Sequence, residues 1–142
     1  MHNLLKEKLK AYIQQNNPEL LIRLQESFSV TTYLEDKVSK VMPTVLRLLD
    51  ENKPGYVIEE LAMAELTEEL RPSRFNYLQV ILEEDFPKEY AAFKYAGVLT
   101  YETINLTEAC KDLLDNFPFT EDSEEDRFLR YAVIAKISDY LN

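Results

Sequence analysis

Residues 58–86, IEELAMAELTEELRPSRFNYLQVILEEDF, constrain the fold more than any other stretch, because their apolar residues recur every three or four positions. Ile58, Leu61, Ala62, Leu66 and Leu70 share one helical face, and Phe75, Leu78, Ile81, Leu82 and Phe86 share another. That is the period of amphipathic helices, not the alternation of strands. Between the two runs, Pro72 has no amide proton and biases Arg71 away from helical angles, while Ser73 suits the N-cap of the next helix. The stretch predicts a helical hairpin at the centre of the fold.

The same period runs through the rest of the chain. Residues 3–15 predict a helix with Leu5, Leu9, Tyr12 and Ile13 facing inward. Asn17 is a capping residue and Pro18 fits the first position of a short helix, PELLIRLQE. Ser29, Thr31 and Thr32 offer caps for a long helix reaching about Glu51, with Leu34, Val38, Val41, Met42, Val45, Leu48 and Leu49 as its stripe. Pro43 lies inside that stripe and predicts a kink near Val41 or a break. Asn52-Lys53-Pro54-Gly55 is the clearest stop. Pro87 opens PKEYAAFKYA, which Gly97 closes as a C-cap. Residues 98–104, VLTYETI, have a strand-like composition but no second strand to pair with. They read instead as the start of a helix that buries Ile104, Leu106, Cys110, Leu113 and Leu114 and stops at Asn116-Phe117-Pro118. A last helix from about Ser123 to Leu141 spaces Leu129, Val133, Ile137 and Leu141 by fours. Two glycines in 142 residues leave little room for a sheet with many tight turns. The expectation is one all-α domain over residues 1–142, a bundle of about seven helices around the central hairpin.

Charge and rare residues narrow the function. Sixteen basic against 26 acidic residues leave a formal charge of −10, which disfavours direct binding to a phosphate backbone. Cys110 is the single cysteine, so no internal disulfide forms and a reduced, cytoplasmic setting is expected. No continuous apolar segment suits a signal peptide or a membrane span. With His2 the only histidine, neither a zinc set nor a Cys–His pair can be assembled, so no metal, cofactor or nucleophilic catalysis is expected. Glu59, Glu60, Glu65, Glu68, Glu69, Glu83, Glu84 and Asp85 fall at the spacing of solvent-facing helix surfaces; a carboxylate-only Mg²⁺ or Ca²⁺ site is the alternative. The acidic run 121–126 lacks the twelve-residue calcium-loop pattern and its turn glycine. It reads as a helix start, with Asp122 or Ser123 as the cap.

Two groups remain as candidate binding residues. Arg71 and Arg74 flank the hairpin turn, where a helix N-terminus favours an anion such as a phosphate or a partner's carboxylate. The alternative is an ion pair with the chain's own carboxylates. Tyr90, Phe93, Tyr95 and Tyr101 crowd a short span beside acidic residues, and they read either as a protein-binding surface or as core packing.

Three local patterns carry a family resemblance: Asn17-Pro18-Glu19-Leu20, Leu66 to Ser73 leading into Phe75–Phe86, and Phe117-Pro118-Phe119-Thr120-Glu121-Asp122. Their order and spacing resemble a family of small, uncharacterised all-helical bacterial proteins, frequent in Bacteroidetes-type bacteria and often carried on conjugative transposons. The chain departs from the family pattern at Asn17, where a His often stands, at the turn Glu69–Ser73, and at Ala135, where a Gly is usual. The resemblance implies an all-helical fold and a mobile-element habitat, with no activity attached. The leading expectation is a non-enzymatic cytoplasmic protein that binds a protein partner which sequence does not identify. An acidic DNA mimic occupying the basic cleft of a DNA-binding protein is the second expectation, and an enzyme with a carboxylate-only site the third.

Overall fold

A computed structural model describes residues 1–142, and all of its regular structure is helical. Nine α-helices run in order: α1 (His2–Asn16), α2 (Pro18–Glu26), α3 (Val30–Asp50), α4 (Gly55–Leu66), α5 (Arg74–Asp85), α6 (Pro87–Ala96), α7 (Leu99–Ala109), α8 (Lys111–Asn116) and α9 (Arg127–Leu141). Two 3₁₀ segments, Glu68–Leu70 and Glu121–Glu125, complete the set. The count exceeds the expected seven. Part of the excess comes from residues 98–116, which divide at Cys110, where ψ relaxes to 3° and the helix restarts as α8.

Where the sequence suggests one domain, contacts gather into two compact units, Met1–Arg71 and Pro72–Asn142. The first unit is α1 to α4. Its core takes Leu5, Leu9 and Ile13 from α1, Leu34, Val38, Val41, Val45 and Leu48 from α3, and Ile58, Ala62 and Leu66 from α4. The second unit is α5 to α9, with Leu78, Ile81 and Leu82 packed among Leu106, Cys110 and Leu114 and, from α9, Leu129, Val133 and Ile137. Of the two helices expected within residues 58–86, α4 contributes to the first core and α5 to the second. Pro72 does break the chain, and Ser73 does cap α5, its Oγ accepting from the Asn76 amide at 3.0 Å.

Several stripes are narrower than their apolar residues suggested. The buried positions of α3 fall at alternating steps of four and three, which leaves Leu49 51% exposed. In α4 the buried positions step by four, and Leu61 lies outside that line. A seam that meets its neighbours edge-on covers two positions per heptad, not three. Of the kink or break expected at Pro43, the break is not formed: α3 is continuous through it, and Pro43 is on the solvent side, where water can meet the Ser39 carbonyl that loses its amide donor. Residues 99–104 are helical, as expected, with Val98 at the N-cap, but α7 turns Thr103 rather than Ile104 fully inward. The Thr103 and Thr107 hydroxyls are satisfied by donating to the carbonyls of Leu99 and Thr103, one turn back.

Candidate interaction surface

Each candidate arginine has a task within its own unit. Arg71 follows α4, and its guanidinium donates to the carbonyls of Thr67 and Ala64, groups that a helix C-terminus leaves open. Arg74 begins α5 and forms a 2.8 Å ion pair with Asp115 while reaching the Leu114 carbonyl at 3.5 Å. That hydrogen bond holds the Asp115 carboxyl below its ordinary range. The two residues belong to different units.

The aromatic group divides by helix face. Tyr90 and Phe93 of α6 lie half-buried against the second core. Tyr95, two residues past Phe93, is 96% exposed, and Tyr101 near the start of α7 is 64% exposed. Tyr101 does not stand alone. Tyr140 of α9, itself partly exposed, donates its hydroxyl to the Glu102 carboxylate at 3.0 Å, and Tyr101 is close enough to act electrostatically on the Tyr140 phenol. Burial and the Glu102 bond both raise the Tyr140 phenol above its ordinary value. Sequence reasoning missed Tyr140 because its helical pattern pointed only to the fours-spaced apolar line of α9. Further along the outer side of that helix, Phe128 and Tyr131 stand three apart and both face solvent.

The acidic run before α9 folds as a capped turn. Thr120 and Ser123 form a reciprocal capping box around the 3₁₀ segment Glu121–Glu125, and the Ser123 hydroxyl also donates to the Pro118 carbonyl at 2.6 Å. The cap of α9 itself is neither Asp122 nor Ser123. Asp126 accepts from the amides of Phe128 and Leu129, because the helix begins one turn later than its acidic lead suggested. Asp126 stands directly before the apolar period, which is the signal that could have identified it.

Many of the surface carboxylates named from sequence are held by cations of their own unit. Glu59 pairs with Lys8, Glu69 with Lys37, and Glu84 and Asp85 share Arg130 at 2.6 and 2.7 Å. No group of three or more His, Cys, Asp or Glu side chains is arranged to hold a metal ion. No helix is long and apolar enough to cross a membrane. Cys110 is fully buried, and desolvation pushes its thiol up to about 11.

Against α5, the 3₁₀ segment Glu121–Glu125 and the start of α9 enclose a groove of about 390 Å³. Val80 and Ile81 supply apolar walls, Tyr77 lines it, and Glu124, Glu125 and Arg130 provide its charge. Compared with protein-family models, with curated proteins and with solved structures, the chain matches none.

Proposed function

We propose that this chain is a non-enzymatic cytoplasmic interaction protein, an accessory factor of the mobile elements to which its family resemblance points. The observation that carries the reading is the exposed aromatic and acidic patch of α6, α7 and α9, in which Tyr95 and Tyr101 stand in water and Glu102 and Tyr140 accompany Tyr101. Aromatic side chains left largely in water, as Tyr95 and Tyr101 are, contribute little to folding, and aromatic residues are enriched where proteins bury one another. A basic partner suits the patch, since the chain as a whole is acidic. The family resemblance supports the habitat, and the reduced thiol supports the compartment.

Affinity capture from the native host tests the reading, with Tyr95→Ala/Tyr101→Ala as the comparison. Both side chains are exposed, so the double variant is expected to keep its helical content and thermal midpoint while losing the captured partner. Undiminished capture by the double variant counts against the patch. The formal charge of −10 supports a second reading, the acidic DNA mimic. On that reading, added DNA displaces the chain from its partner and the tyrosine substitutions leave capture intact.

A further inference from the structure

The groove of the second unit has features that simple packing does not require. Tyr77 is only 6% exposed, its ring stands edge-on to Phe119 with centroids 5.1 Å apart, and its hydroxyl has no hydrogen-bond partner. A buried hydroxyl without a partner is destabilising, and a phenylalanine would fill the same space without that cost. Tyr77 lines the groove together with Glu124 and Arg130, and besides burial the charges of Arg130, Asp126 and Glu124 from that side, and Cys110 from the core, act on its hydroxyl. Arg130 is the only cation on that wall, and Glu84 and Asp85 already hold it. Glu124 and Glu125 are exposed and form no ion pair. The cavity therefore combines apolar sides, an uncompensated negative rim and one buried oxygen with a lone pair to offer.

We propose that this groove binds an organic cation, an alkylammonium or guanidinium group on a short methylene chain. The methylenes lie against Val80 and Ile81, the head group is neutralised by Glu124 and Glu125, and one of its N–H groups donates to Tyr77 Oη. An anion is repelled by the two glutamates, and a neutral alkyl chain leaves the Tyr77 oxygen unsatisfied. The proposal goes beyond the protein-binding patch and does not depend on it, because the groove and the Tyr101 patch share no residue. Two sources supply the same chemistry: a free alkylamine or alkylguanidine, or the lysine or arginine side chain of a peptide.

Titration of the full-length, ¹⁵N-labelled protein with agmatine tests the site. Saturable shifts are expected at the amides of residues 77–81 and 124–130. Glu124→Gln/Glu125→Gln is expected to weaken agmatine by about tenfold or more, the scale of one lost charge interaction. Tyr77→Phe keeps the ring against Phe119 and is expected to weaken binding several-fold with an unchanged or raised thermal midpoint. Butanol, of matching chain length but neutral, should not saturate the site. A blocked Ala-Lys-Ala tripeptide run in parallel identifies the source: tighter peptide binding assigns the groove to a partner's basic side chain, tighter agmatine binding to a free small-molecule cation, and either supports the proposal. Absence of localised shifts at millimolar agmatine overturns it. So do shifts spread over the whole acidic surface and unaltered by the Glu124/Glu125 substitution, which mark diffuse counter-ion binding.

Discussion

At Cys110 the thiol is wholly enclosed among Leu106, Leu114 and the α9 stripe, and burial raises its pKa from the ordinary 9.0 to about 11. Because the folded value lies above the unfolded one, this contribution to stability is fully present below about pH 9. It is lost as pH rises toward 11. Tyr12, Tyr33, Tyr77 and Tyr140 are raised as well and act with the same sign. Urea unfolding of the wild type and Cys110→Ala, compared at about pH 8 and about pH 10, should therefore show stability falling at alkaline pH in both, with the smaller fall in the variant. At the lower pH a thiol reagent should label native Cys110 only as fast as the chain opens. The placement of Cys110 in the core was legible from its position between Leu106 and Leu113. The unpartnered hydroxyl of Tyr77 was not, because Tyr77 lies one place before Leu78 and nothing local distinguishes it from a boundary tyrosine.

Helix ends show where local chemistry suffices and where it is overridden. Gly97 closes α6 in the left-handed conformation at φ 77°, and the Val98 amide bonds back to Phe93, as a glycine C-cap predicts. Phe28 occupies the same kind of position after α2 at φ 54°, yet it is a phenylalanine and 95% exposed. The amide of Ser29 reaches the Leu24 carbonyl across it, and the ring itself rests on nothing. Asn17 was expected to cap α2; its side chain is instead buried and its Nδ2 donates to the Leu70 carbonyl at 3.4 Å, tying α2 to the end of its own unit. At α9 the working cap is Asp126, with bonds of 2.9 and 3.2 Å to two first-turn amides. Asp126→Ala is expected to cost about 1 kcal/mol, within the usual range for a lost cap. Asp122→Ala, whose residue does not cap α9, should change the denaturation midpoint little.

Over the whole molecule, each compact unit closes its own core, and each core is built around fully buried leucines and isoleucines. Leu9→Ala and Leu78→Ala each remove a fully buried side chain and should each cost about 2–5 kcal/mol. Hydrogen exchange should separate them: Leu9→Ala is expected to lower protection chiefly in residues 1–71, and Leu78→Ala chiefly in residues 72–142. Equal loss of protection throughout the chain for both variants would contradict two separately closed cores. What the sequence determined by itself was the helical state, the inward stripes of α1, α5 and α9, and the breaks at Asn52–Gly55, Pro72 and Gly97, since apolar period and backbone restriction act within a few residues. The assignment of α4 and α5 to different cores was decided only in the tertiary structure. So were the joining of Tyr140 to Glu102 and the enclosure of Tyr77 between α5 and the acidic turn. An apolar stripe states that a face must be covered; which face covers it depends on packing between residues far apart in the chain, and spacing along the sequence does not encode that choice.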